Sequence, residues 1–139
     1  MRDAPELVAL CEEQGIAALA RSPLGTGLLT GKHSASTQIT DETDFRRRSP
    51  DWLNYFRDGR PVPEYSRRLE AITAIITSGG RTVAQGALAW LWARSPVLIP
   101  IPGARTVEQV QQNTAAMDHG PLTWEQMQDI RAVYQSATA

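Results

Sequence analysis

Two stretches of the chain carry residues suited to holding an anion. Ser22-Pro23-Leu24-Gly25-Thr26-Gly27 sets glycines among hydroxyl side chains. Glycine lets a backbone come close to a ligand, and Ser22 and Thr26 offer hydroxyl donors. Pro102-Gly103-Ala104-Arg105 runs into Thr106-Val107-Glu108-Gln109, which reads as a capped helix start. The free N–H groups of a helix start favour an anion, and Arg105 adds a forked, permanently charged donor. Taken alone, the first stretch can equally be a plain Gly/Pro turn, and Arg105 a surface arginine. Neither stretch matches the GxxxxGK[ST] or GxGxxG phosphate-binding patterns.

Each stretch follows a short apolar run, Ile16–Ala20 and Val97–Ile101, which reads as a strand covered on both faces. Ahead of the first run, Asp3 and Glu6 form a capping-box pattern for a helix with Leu7, Val8, Leu10 and Cys11 on its apolar face and Gly15 as its stop. Cys11 reads as a small core residue, with a reactive thiol as the alternative. Residues 33–62 are polar and aperiodic, a long loop with a short helical piece around Trp52–Phe56. Glu64–Ser78 repeats Leu69, Ile72, Ile75 and Ile76 at helical spacing. Thr82 with Gln85 opens an Ala-rich helix to about Arg94, whose Trp90 and Trp92 read as packing residues. A helix from Thr106 to about Ala116 follows, and a last one from Thr123 turns Leu122, Met127, Ile130 and Val133 inward.

Strands alternating with helices imply an α/β protein with parallel strands, in which ligands bind at the carboxyl ends of the strands. The 139 residues make one domain, 1–139, with 42% hydrophobic and 21% charged residues. A net charge of −1 argues against a broad nucleic-acid surface. No window reaches the ~18 apolar residues of a membrane span. The single cysteine makes a cytoplasmic location the expectation. Two strands leave open edges and uncovered apolar faces, while a closed (β/α)8 barrel needs ~250 residues. The chain is therefore expected to be part of something larger.

GIAALARSPLGTGLLTGK (15–32) and IPIPGARTVEQVQQN (99–113) resemble the two cofactor-loop signatures of the aldo-keto reductase family. Asp44-Phe45-Arg46-Arg47, Val83–Trp90 and Gly120-Pro121-Leu122-Thr123 extend the likeness over essentially the whole chain. The resemblance implies roughly the C-terminal half of a (β/α)8 TIM barrel, with the two strands as its seventh and eighth, binding NADPH or NADP⁺ in extended form. By that match Ser22, Pro23, Leu24, Gly25 and Thr26 lie along the nicotinamide ribose and diphosphate, and Lys32 and Arg46 close over the diphosphate. Gly103 and Arg105 meet the 2′-phosphate with Gln109 nearby, and Gln112 and Asn113 contact the adenine. Arg21 stands where many members stack an aromatic on the nicotinamide; its charge would oppose the oxidised ring. Gln112 stands where Glu is frequent.

Family chemistry is hydride transfer between NADPH and an aldehyde or ketone, with a tyrosine acid tuned by a lysine and an aspartate, and a histidine. In the family these sit on earlier strands. Here Lys32 is the only lysine and lies in a loop, and His33 and His119 lie in polar, loop-like sequence. Tyr55, Tyr65 and Tyr134 have no lysine to lower their pKa, and no metal-ligand cluster is present. The expectation is the cofactor-binding portion of an NADP(H)-dependent reductase that does not turn over alone. It would be completed by an N-terminal half-barrel or by self-association. The alternatives are a non-catalytic nucleotide-binding or docking module, and a degenerate truncated remnant.

Overall fold

Residues 5–136 are described by the computed structural model. Helix α1 spans Pro5–Gln14; the cap expected at Asp3 lies outside the described residues. Gly15 ends α1 at φ +64°, where the Gly15 N–H bonds the Glu12 carbonyl at 3.3 Å and the Ile16 N–H bonds that of Cys11 at 2.8 Å. That pair of bonds satisfies the last carbonyls of the helix. Cys11 is buried as expected of a core residue, but Leu7 and Leu10 are exposed, so only part of the apolar face finds a partner.

Strand β1 (Ala18–Arg21) pairs in parallel with β4 (Leu98–Ile101), with Ala18 opposite Leu98, Leu19 opposite Ile99, Ala20 opposite Pro100 and Arg21 opposite Ile101. Side chains alternate across a strand, so the two faces separate cleanly. Ala20 and Leu98 pack with Leu91 of helix α4 (Val83–Arg94), while Leu19 (66% exposed), Ile99 and Ile101 stand open on the other face. The expectation that both strands are covered on both faces is therefore corrected: the described residues supply a helical layer on one side only.

Between the strands the chain runs through a 3-10 stretch, Gly25–Thr30, and a short helix α2, Phe45–Arg48. An antiparallel pair follows, β2 (Phe56–Arg57) with β3 (Arg60–Pro61). This also corrects the helical piece expected around Trp52–Phe56. Asp44 starts the helix earlier by accepting from the Arg46 N–H at 2.9 Å. Asp58 and Gly59, at φ +49° and +77°, supply the left-handed pair that a two-residue hairpin turn requires. Phe56 is thereby drawn into the hairpin and fully buried, packing with Leu28 and Leu53.

The main core forms where α3 (Pro63–Ile76), α4 and α7 (Trp124–Ser136) meet. Ile72, Ile76, Ala89, Leu122 and Ile130 are buried there, with Trp90, Trp92, Met127 and Val133 half-buried against them. Helix α4 is buried from Gln85 through Ala89 and at Leu91, as a helix covered on several sides must be. Its capping box is complete: Gln85 N–H to Thr82 Oγ1 at 3.2 Å and Thr82 N–H to Gln85 Oε1 at 2.8 Å. The helix α5 (Val107–Thr114) and a short turn α6 (Ala116–His119) lead to α7, whose Thr123–Gln126 box repeats the same two bonds.

Gly86 lets α4 approach the end of α3. A Cβ at Gly86 would land on the Ile76 carbonyl oxygen and stand 2.8 Å from Ile76 Cβ. Helix propensity favours alanine by up to ~1 kcal/mol, whereas overpacking costs ~1–3 kcal/mol. Gly86→Ala is expected to lower stability by a net ~1–2 kcal/mol in urea denaturation; an unchanged or raised midpoint would contradict the close approach.

Candidate functional site

The parallel register puts Arg21 beside Ile101, so Ser22 and Pro102 leave the sheet from the same end. The loop after β1 takes left-handed backbone at Ser22 (φ +53°), Gly25 (+54°), Thr26 (+54°) and Gly27 (+105°). Two of these are not glycine, a strain of about 1–3 kcal/mol each that surrounding structure must hold. Buried Pro23, Gly25 and Leu28 anchor the loop, with Leu24 and Thr26 half-buried and Ser22 exposed. The Thr26 hydroxyl donates to the Gly25 carbonyl at 2.7 Å, so its proton faces the loop itself. Lys32 is exposed just beyond Gly31, with its N–H on the Thr30 hydroxyl at 3.4 Å.

Arg46 is the charged side chain brought to this loop. Its Nη1 lies 3.5 Å from the Thr26 carbonyl and 3.1 Å from His33 Nε2. Its Nη2 donates to Asp44 Oδ2 at 2.6 Å and its Nε to Asp44 Oδ1 at 3.0 Å, a fork matching the two carboxylate oxygens. Phe45 and Phe56 flank the guanidinium, their ring centres 5.8 and 5.6 Å away. The hydrogen bonds of the Arg46 side chain, helped by its N–H and charge and by the charge of Arg105, pull Asp44 from 3.8 down to about 2. Burial, then the charges of Arg46 and Lys32, push His33 below its ordinary 6.5 against an opposing pull from Asp44.

After β4, Gly103 and Arg105 are exposed. Thr106 caps α5 by accepting from the Gln109 N–H at 3.2 Å. Gln109 Oε1 accepts from the Arg105 N–H at 2.7 Å, one residue earlier than in a standard capping box, and so fixes the backbone that carries Arg105. Gln112 donates to Glu108 at 3.3 Å along the outer face of α5, and its carbonyl accepts from buried Gln85 at 3.1 Å. Asn113 is half-buried one residue on. Arg105 also contributes to the lowering of Asp41, after the bonds from Thr43. Asp44 therefore feels Arg46 through direct hydrogen bonds and Arg105 through its charge alone.

Sequence reasoning singled out Arg46 but missed the groups that hold it. Asp44 was not read as a cap, although its place just ahead of Phe45 and Arg46 is the local signal that could have found it. His33 gave no local signal, because its contacts with Arg46 and with the Phe56 ring, edge-on at 5.3 Å, are tertiary. Burial pushes Tyr55 and Tyr134 above 10, away from the range of a ready proton donor. His119 is half-buried, its carbonyl accepting from Arg81 at 3.0 Å. Among the described residues no group of three His, Cys, Asp or Glu side chains could hold a metal ion, and no helix is long and apolar enough to cross a membrane.

Residues 1–135 match the model of the aldo/keto reductase family. The chain is similar to an aldo-keto reductase, yakc [NADP(+)], of Schizosaccharomyces pombe, 32% identical over 77% of this chain and 30% of that protein. It is also similar to the chloroplastic pyridoxal reductase of Arabidopsis thaliana, 32% identical over 88% of this chain and 30% of that one. A third relative, aldo-keto reductase str7 of Strobilurus tenacellus, is 28% identical over 94% of this chain and 37% of its own length. The chain thus spans about a third of the length of the relatives it matches.

The Asp44–Arg46 pair fixes a pH dependence. Because Asp44 is lowered on folding, its contribution to stability is present above 3.8 and lost as pH falls toward about 2. Asp44→Asn keeps a capping oxygen but loses the charged fork. It should cost about 1–3 kcal/mol at neutral pH, and the gap to wild type should close as pH falls from 4 toward 2. Urea midpoints measured across that range check it; a gap independent of pH would contradict it.

Proposed function

Since the chain belongs to the aldo/keto reductase family, we propose that it forms the NADP(H)-recognising portion of a reductase barrel, contributing its seventh and eighth strands. One observation carries the reading. The parallel register sends the Ser22–Gly27 loop and the Pro102–Arg105 loop out of the same sheet end, with Arg46 beneath the first and Arg105 on the second. A dinucleotide phosphate has one charged site at its diphosphate and another at its 2′-phosphate, and two loops at one end suit two anionic groups. A relative whose name carries NADP(+) supports the same cofactor.

In this reading the residues from Ser22 to Thr26 lie along the ribose and diphosphate, with Lys32 and Arg46 on the diphosphate side. Exposed Arg105, its backbone steadied by Gln109, takes the 2′-phosphate beside Gly103, and Gln112 and Asn113 turn to the adenine. Arg21 stands at the rim of the open face. When bound, the cofactor supplies the hydride for reducing an aldehyde or ketone. This chain's residues bind and orient it, and the proton donor comes from other strands of the barrel. Leu19, Ile99 and Ile101 form the apolar face that those strands would cover.

A charge-assisted bond to phosphate is worth about 1.5–3 kcal/mol, or roughly 10–100-fold in affinity. Arg105→Ala should therefore weaken NADPH binding by roughly tenfold or more and leave NADH within about twofold, read by cofactor fluorescence titration. Equal losses for both cofactors, or no saturable NADPH binding by the wild type, would contradict the assignment.

A further inference from the structure

A guanidinium has five N–H donors, and Arg46 commits four of them inside the protein. Nε and one Nη2 hydrogen face the Asp44 carboxylate, and the two Nη1 hydrogens face His33 Nε2 and the Thr26 carbonyl. The cluster is built tightly against the loop. A Cβ on Gly27 would stand 2.8 Å from Arg46 Nη1 and 3.6 Å from His33 Nε2, so a side chain at position 27 would push the guanidinium from this place. Arg46 is thus first a staple under the glycine loop, and only its remaining N–H can reach a ligand.

The staple needs an acceptor at His33. Arginine can only donate, so Nε2 accepts, and the imidazole is neutral with its proton on Nδ1. The Nδ1 that then carries the proton is buried without a hydrogen-bond partner. Protonating Nε2 would remove the acceptor and set two cations 3.1 Å apart. The charged groups facing His33 are Arg46 and Asp44, from α2 and its cap, and Lys32, its neighbour in the chain; β2 presents the apolar Phe56 ring.

We propose that His33 is a positioning residue for the anion-binding loop: its neutral imidazole fixes Arg46 beneath Thr26 and Gly27, and its protonation releases that staple. The consequence for ligand affinity rests on the cofactor reading above, whereas the staple itself does not. Because burial and the two neighbouring cations lower His33, release comes in acid, below pH 6.5.

The test compares wild type, His33→Gln, which keeps a neutral acceptor, and His33→Phe, which keeps only the ring packing. In ligand-free protein, the Thr26 and Gly27 amide signals and the Arg46 Nε signal should follow one titration below pH 6.5 in wild type and neither variant. In calorimetry with NADP⁺, His33→Gln should match wild type at pH 8, while His33→Phe is weaker by about fivefold, as for one lost hydrogen bond. At pH 5 wild type should lose about fivefold more than His33→Gln, which carries the ligand's own titration. Folded wild type whose three signals ignore pH, or His33→Phe binding as wild type does, would overturn the proposal. If the titration is seen and no protein binds NADP⁺ at either pH, the staple stands and the cofactor reading falls.

Discussion

Parallel pairing of two strands forces a long crossover, because the chain must return to the starting end before the second strand can run alongside the first. Here the pairing of Ala18–Arg21 with Leu98–Ile101 makes that demand, and residues 22 to 97 meet it. The crossover brings α4 back along one face of the sheet, where Leu91 lies against Ala20 and Leu98, with α3 packed on α4. Both strands then end side by side, so the loops that follow them leave from one end of the sheet. Every feature of the candidate site depends on that shared end.

Charge at this end is divided unequally. Arg46 is largely buried with four of its five N–H donors on Asp44, His33 and the Thr26 carbonyl, while Arg105 is exposed with its backbone N–H held by Gln109. Asp44 is the anion paired with Arg46, and the hydrogen bonds from that guanidinium are the main reason its carboxyl sits at about 2. An anion bound as proposed would meet Arg105 in solvent, where it costs little to engage. To reach Arg46 it must use the remaining N–H or compete with a bidentate carboxylate. The first loop offers shape held from beneath, and the second offers accessible charge.

Local rules were enough to read some of this from sequence. The boxes at Thr82–Gln85 and Thr123–Gln126 need partners only three residues apart, and the helix stop at Gly15 needs only a left-handed residue. The inward stripe of α7 follows its period. Two things were not legible. The apolar runs around Leu19 and Ile99 look the same whether one or two layers cover them, so their open face came only from the structure. Residues 33–62 have no period, and their order rests on tertiary contacts: Phe56 in the core with Leu28, the Gly59 N–H on the Arg46 carbonyl at 3.0 Å, and the imidazole of His33 on Arg46. The site was legible as two loops and an exposed arginine; the staple joining the first loop to α2 was not.

In the proposed function one cofactor spans both loops at the shared strand end. Amide chemical-shift mapping of the chain during an NADPH titration tests it most directly. Saturating shifts gathered at Ser22–Gly27 and at Gly103–Asn113, with one common dissociation constant, are the expected result. Shifts confined to another surface, such as the groove beside Trp124 and Arg131, or to one of the two loops alone, would contradict it.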